Sequence, residues 1–490
     1  MSQEQQPIYD ARTLGAPRMA LLGFQHMFAM FGATVLVPTI TGLSVSATLL
    51  FAGIGTLIFH FMTKWKVPAF LGSSFAFLGG YAAVKEMGVA AGLTVPAALT
   101  YACLGVFFAG LMYFILAGLV AAFGTRKVMR FFPPVVTGPI IIAIGLNLSG
   151  VAINSCIDNW WIALVAIFTI IICNIWGKKM IKIIPILLGV VVSYIFAACI
   201  GKVDWSSVKE AAWFGLPFQM ENTVFAIFKS PDWNLVLSAI IAIIPISLAT
   251  MVEHIGDVCA ISSTTNQNFL KEPGLHRTLM GDGLATMVAS LFGAPANTTY
   301  GENTGVLNIT KVFDPRVVRI AAGLAILFSF SPKFAAVVSA MPVATVGGVS
   351  LVLYGMISAV GVRNIVENKV DFTNTRNVII AALVLVLSIG ITYGPGSISF
   401  GKIAFSGLAI AAIVGILLNA ILPGKDFEFG KEYEGVVNVS LGGAALDTPE
   451  DNLFRNLDRS KTMKQLREED RAAAKAAEEA AKAKEEEGKN

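Results

Sequence analysis

Long apolar runs recur along the first 423 residues. They lie at 19–37, 44–63, 68–83, 96–122, 134–153, 159–176, 181–200, 233–261, 278–294, 296–311, 317–331, 339–361, 376–392 and 403–423, fourteen segments in all. A helix crosses a bilayer with about 20 apolar residues, so the pattern predicts an all-α polytopic membrane protein. The segments at 68–83 and 296–311 are short or interrupted by Gly and Pro. After 424 the pattern changes. The chain becomes polar and closes on "EEDRAAAKAAEEAAKAKEEEGK", where Ala, Glu and Lys at i,i+4 spacing favour a solvated helix without a sustained apolar face. Residues 424–490 are expected to form a charged cytoplasmic tail.

Lys and Arg in the short loops orient the spans. With residue 1 inside, the inner loops hold Arg12, Arg18, Lys64, Lys66, Arg126, Lys127, Arg130, Lys178, Lys179, Lys182, Lys271, Arg277, Lys311, Arg316, Arg319, Arg363, Lys369 and Arg376. The outer loops hold Lys85, Lys202, Lys209, Lys229, Lys333 and Lys402, which is 6 against 18. Adding or dropping one segment destroys the asymmetry. It therefore favours fourteen spans with both termini in the cytoplasm and a multi-pass protein of the cell (inner) membrane. Residues 1–18 are polar and read as a cytoplasmic N-terminus with no cleavable signal peptide.

Composition agrees. The 490 residues are 55% hydrophobic and 14% charged, with mean hydropathy +0.70, against about 25% charged in soluble domains. The net charge of +4 gives no footprint for nucleic acid. Cys103, Cys156, Cys173, Cys199 and Cys259 form no CxxC pair and no metal-ligand spacing; they read as small buried hydrophobes. No HExxH, GxSxG or P-loop is present, so neither an enzyme nor an ATP-driven pump has visible machinery, and no cofactor or metal is expected.

Segments five and twelve echo each other. "PVVTGPIIIAIGLNLSGVAI" begins at Pro134 and "PVATVGGVSLVLYGMISAVGV" at Pro342. The interrupted segments are three and ten. Both pairs stand seven spans apart, an odd number, which predicts a 7+7 inverted repeat of the kind whose sites lie where discontinuous helices meet. "VPAFLGSSFAF" (67–77) and "APANTTYGENTG" (294–305) each read as a short extended stretch leading into a half-helix. Such backbone must be buried in protein. The two stretches would satisfy each other as a small antiparallel pair, with half-helix N–H groups turned to a ligand.

Three acids stand out inside this apolar chain. Glu253 and Asp257, four apart in "MVEHIGDVCA", share a helix face, and Glu302 sits in segment ten. Each costs about 2.5–3.5 kcal/mol at mid-bilayer unless a partner or polar cavity receives it, and function is the usual reason. Carboxylates accept hydrogen bonds from N–H donors and exchange protons when buried, which suits a proton-coupled carrier of a small N–H-bearing ring. Phe75 or Phe77 would stack on that ring. Among the histidines, His26 is a candidate for the site network. His254, about 100° round the helix from Glu253, reads as core packing, and His60 and His276 as structural.

These residues resemble the nucleobase–cation symporter-2 (nucleobase–ascorbate transporter) family, and within it the bacterial uracil permease type. The resemblance rests on "ENTGVLNITK" (302–311), "QH" at Gln25-His26 followed by "FAMFGATVLVP", "GSSFAF" (72–77), "EH" at Glu253-His254, "PGLHR" (273–277), "NTTYGEN" (297–303) and "GGVSLVLYG" (347–355). It implies an elevator-type, homodimeric, proton-coupled uracil importer in the lipid bilayer. Core segments would be 19–133 and 233–333, and gate segments 134–232 and 334–423. It implies a substrate site of Glu253, Glu302, Phe75, Tyr300 and Gly301 with Ala33 nearby, support from His26, Asn303 and Ser74, and proton coupling through Asp257, Glu253 or Glu302. Glu302 at the first signature position favours uracil over the purines, xanthine and uric acid, which typically go with Gln there. Asp257 stands where some uracil permeases have His, so coupling falls to an acid.

Overall fold

A computed structural model describes residues 7–178, 181, 184–400 and 403–424. The expected helical tail beyond 424 lies outside the described residues. The longer helices are α1 (Ala16–Thr41), α2 (Val45–Met62), α3 (Leu78–Ala90), α4 (Val95–Phe123), α5 (Pro134–Ile157), α6 (Trp160–Ile175), α7 (Pro185–Cys199), α8 (Trp233–Ile243), α9 (Ile246–Thr265), α10 (Leu275–Leu291), α11 (Gly301–Thr310), α12 (Pro315–Ser329), α13 (Pro332–Ser339), α14 (Val343–Glu367), α15 (Thr375–Tyr393) and α16 (Gly407–Ile421). Strands β1 (Leu71–Ser73) and β2 (Asn297–Thr299) pair with each other, as do β3 (Ser397–Phe400) and β4 (Ile403–Ser406).

Among the described residues, seven helical stretches are long and apolar enough to cross a membrane, counting α8 and α9 together as Trp233–Thr265. An eighth is the pair α12 and α13, bent by 89°. α6, α7 and α16 are shorter apolar helices. Segment eight breaks between α8 and α9 at Ile244 and Pro245. The β3–β4 hairpin occupies the start of the apolar run at 403, which the hydropathy pattern reads as helix; its Ile-Ala-Phe-Ser sequence suits either state. Four cysteines are buried as expected, but Cys199 at the end of α7 is exposed.

The strand pair β1–β2 lies deep in the protein. Its antiparallel register sets Leu71 against Thr299, Gly72 against Thr298 and Ser73 against Asn297. It is prolonged by Tyr300 N–H to Phe70 O (3.0 Å) and Ser74 N–H to Ala296 O (2.8 Å). Unpaired peptide groups in an apolar interior cost several kcal/mol each, and side chains from three helices meet the outward-facing ones. Thr56 of α2 accepts from Leu71 N–H (2.9 Å), and Thr286 of α10 donates to Asn297 O (2.8 Å). Tyr81 of α3 accepts from Ala296 N–H (3.0 Å), and His60 Nε2 of α2 lies 2.9 Å from Ala69 O. His60 is thus structural, as its position predicts.

The two echoing helices, α5 and α14, run side by side. Small residues let the backbones touch: a Cβ on Gly145 would fall 2.2 Å from Tyr354 O, and one on Gly361 would fall 2.7 Å from Gly138 O. Ser358 donates to Ile142 O (3.0 Å) and Asn364 to Thr137 Oγ1 (2.9 Å) across the same seam.

Several predicted inner loops meet. Lys66 pairs with Glu272, and the Arg319 guanidinium sits 5.1 Å from the Trp65 ring centroid. Residues 7–14 strap across this end. Ile8 bridges to Val312, Tyr9 Oη donates to Thr265 O at the end of α9 (3.0 Å), and Asp10 pairs with Arg316 (3.1 Å).

Candidate functional site: a cavity at the broken spans

A cavity of about 500 Å³ opens where the β2–α11 junction faces α9 and α14. α9 supplies Glu253, Gly256, Asp257 and Ala260 to its wall, and the second broken segment supplies Thr298 through Gly301, then Thr304 and Gly305. Phe75 lines it from the first broken segment, and Leu353, Met356, Ile357 and Val360 form the α14 wall. Arg363 and Glu367, paired with each other at an exposed end of α14, mark its rim.

Local sequence explains the junction. Tyr300 keeps β-type dihedrals (φ −109°, ψ 118°), and the helix starts at Gly301 with no side-chain cap. The first-turn N–H groups of α11 therefore have no capping side chain, and the positive end of the helix dipole adjoins the cavity. A Cβ on Gly301 would have only Asp257 Oδ1, 3.9 Å away, as a neighbour. The backbone is thus bare on the side facing the α9 acids. Thr299 donates to Asp257 Oδ2 at 2.8 Å. Tyr300 Oη donates to Ser73 O (2.9 Å), fixing its ring across the strand pair. Phe75 is buried and packs edge-on against Tyr354, centroids 5.9 Å apart. The hydroxyls of Thr298 and Thr304 have no hydrogen-bond partner among the described residues. The wall thus offers acceptors, free hydroxyls, a helix N-terminus and an aromatic face.

Of the residues predicted for the site, Glu253, Asp257, Phe75, Tyr300 and Gly301 come together in the cavity wall. Glu302 is the second residue of α11; its side chain lies outside the described residues. His26, Asn303, Ala33 and Ser74 are buried behind the wall. Asn303 Nδ2 reaches both His26 Nδ1 and His26 O at 3.1 Å, tying α11 to α1. Ala33 packs in the core of α1. The Ser74 backbone prolongs the strand pair, and its hydroxyl has no partner among the described residues.

One buried acid escaped the sequence reasoning. Asp282 lies in α10 and is fully buried, its Oδ2 3.2 Å from His254 Nδ1. The signal was available, an acid in "MGDGLA" within a predicted span. His254 is packed between Phe59 and Tyr113, as expected of a core residue, but it also carries this ion-pair contact.

Long apolar helices around an open cavity with acids in its wall define a multi-pass membrane protein. Residues 17–397 match the xanthine/uracil permease model described as "Permease family". The chain belongs to this family, the nucleobase:cation symporter-2 permeases. It is 41% identical over 428 residues to the uracil permease of Bacillus caldolyticus, covering 85% of this chain and 94% of that one. It is 42% identical over 413 residues to the uracil permease of Bacillus subtilis strain 168, covering 81% and 91%. Among solved structures, the transmembrane domain of the cyanobacterial bicarbonate transporter BicA aligns with TM-score 0.53 at 15% identity, over 84% of this chain and 99% of that one; this likeness is one of fold.

Proposed function

We propose that the protein is a proton-coupled uracil importer of the cytoplasmic membrane. The observation that carries this is the joining of two α9 carboxylates with the bare N-terminus of α11 around one cavity. Uracil alternates ring N–H donors with carbonyl acceptors. Glu253 and Glu302 accept from the N–H groups, backbone N–H at Gly301 serves a carbonyl, and Phe75 stacks on the ring. The uracil permeases named above, which match this chain over most of its length, support that cargo. Asp257 and the glutamates carry the proton. His26, Asn303 and Ser74 hold the wall in place, and Ala33 fills the space behind it. A bicarbonate-type cargo is disfavoured, because acids in the wall repel an anion.

In this proposal the chain makes fourteen spans as a 7+7 inverted repeat, with both termini inside, and works as a homodimer. The antiparallel pairing of β1 with β2 and the α5–α14 seam support the repeat. α1–α4 with α8–α12 form a moving core (19–133 and 233–333). α5–α7 with α14–α16 form a gate (134–232 and 334–423), and the cavity lies between core and gate. Uptake of labelled uracil into proteoliposomes, with and without an inward proton gradient, tests the proposal. Gradient-stimulated accumulation is expected, and no uptake of any nucleobase by well-folded protein overturns it.

A further inference from the structure

Behind the β2 strand lies a buried titratable pair with no part in the binding scheme above. His254 of α9 and Asp282 of α10 are both 0% exposed, with Nδ1 3.2 Å from Oδ2. The imidazole is held edge-on by Phe59 of α2 and Tyr113 of α4, with centroids 6.1 Å and 6.4 Å away. The Tyr113 hydroxyl faces Asp282, Glu253 and Thr250. From β2, Thr299 Oγ1 lies 3.5 Å from the same Nδ1 while it donates to Asp257 at 2.8 Å. The titratable groups around the pair are thus Tyr113 from α4 and Glu253 and Asp257 from α9. Among the described residues, no Lys or Arg is paired with Asp282.

The hydrogen-bond directions assign the ring hydrogen. Thr299 has one hydroxyl proton, and it goes to Asp257, so Thr299 turns a lone pair to His254. Asp282 Oδ2 stands 3.2 Å away as a charge contact, with no aligned hydrogen bond to the ring among the described residues. A Thr299 lone pair and a carboxylate at that range both favour the hydrogen on Nδ1. Nε2 has no partner among the described residues and is an open proton position. With Nε2 bare, the pair is a buried anion. With Nε2 protonated, imidazolium and carboxylate are together neutral, which the apolar interior favours over a net charge.

We propose that His254 and Asp282 form a proton-holding pair that sets, through Thr299, how readily Asp257 takes up a proton. One proton from water forms an N–H bond at Nε2, Asp282 stays a carboxylate, and no other bond changes. Filling Nε2 removes a negative charge behind Asp257 and favours the ionised form of that acid. Asp282 is a positioning residue, because it acts through His254 and does not line the cavity.

The proposal rests on the transport function above, and its test separates the two. Labelled uracil uptake by the full-length protein in proteoliposomes is followed against pH for the wild type, Asp282→Asn and Asp282→Glu. Removing the buried anion lowers the proton affinity of both His254 and Asp257, so the Asp282→Asn midpoint is expected to fall by about one pH unit or more. Asp282→Glu is expected to restore it. An Asp282→Asn profile that coincides with the wild type overturns the proposal. A second measurement needs neither transport nor that variant. In histidine-labelled protein the His254 NMR signal, assigned by its loss in His254→Gln, is titrated with and without Asp257→Asn. A midpoint that moves supports the coupling, and an unmoved one overturns it. Absence of uptake by the wild type counts against the transport function alone.

Discussion

The ring of Tyr300 closes over Gly72 so tightly that a Cβ on Gly72 would stand 2.5 Å from two of its carbons. Gly72 lies in β1 and Tyr300 directly follows β2, and Tyr300 Oη donates to the next carbonyl, Ser73 O. Glycine is required here by close approach, because no side chain fits between ring and strand. Gly72→Ala is expected to cost about 1–3 kcal/mol through overpacking, seen as a lower melting temperature and reduced uracil uptake. Gly79→Ala is the control, since Gly79 has nothing within 4 Å of its Cβ position, and it is expected to match the wild type in both assays.

Gly301 is the reverse case. Its Cβ position is open apart from Asp257 Oδ1 at 3.9 Å, so Gly301→Ala is expected to leave the melting temperature unchanged or raise it. The added methyl enters the space assigned to uracil. Calorimetric binding is expected to weaken about tenfold or more, on the scale of one misplaced methyl in a close-packed pocket. Wild-type affinity in this variant argues against uracil lying over Gly301.

Loss of a carboxylate acceptor has a different signature. Glu253→Gln is expected to weaken uracil binding roughly 10–100-fold, the range for a hydrogen bond to a charged group. Glu302→Gln is expected to abolish uracil binding or move preference towards purines, because an amide offers a donor as well as an acceptor. Competition by uracil, thymine, xanthine and uric acid against labelled uracil measures both effects.

The N-terminal strap carries a pH dependence of its own. The hydrogen bond from Arg12 holds the Asp10 carboxyl below its ordinary 3.8, against an upward push from burial. A depressed carboxyl stabilises the fold at pH above its unfolded value and loses that contribution as pH falls through the lowered one. Hydrogen exchange at residues 7–14 is therefore expected to speed up, relative to the rest of the chain, as the pH falls below about 4. Asp10→Asn is expected to show the faster exchange already at neutral pH.

Hydropathy located the long helices because spanning lipid demands a nearly unbroken apolar run, and α1, α2, α4, α5, α14 and α15 each meet that demand. The strand pair was legible for the opposite reason. Pro, Gly and Thr at 294–301 cannot continue a helix cheaply, so the backbone had to find partners elsewhere. Glu253 and Asp257 were visible as acids at i,i+4 in an apolar stretch. Hydropathy did not reveal the break between α8 and α9, because Ile244 and Pro245 sit within a run that stays apolar throughout. The Asp282–His254 contact joins different helices, so neither local charge pattern points to the other residue. The placement of Asn303 against His26 likewise spans 277 positions and follows from packing that no local pattern encodes.

The β1–β2 register also constrains how the chain is made. Leu71 finds its partner at Thr299, so 228 residues must be synthesised before the pair can close. At about 5–20 residues per second, that interval is roughly 10–50 s. Until then the peptide groups of 71–73 lack their strand partner, and leaving such groups bare in lipid costs several kcal/mol each. Segment three is therefore expected to stay out of the lipid core until β2 has been made. The strand that closes the cavity late in biogenesis makes the first half of this protein dependent on the second, and truncation between the two strands is expected to yield a chain marked for degradation rather than a half-transporter.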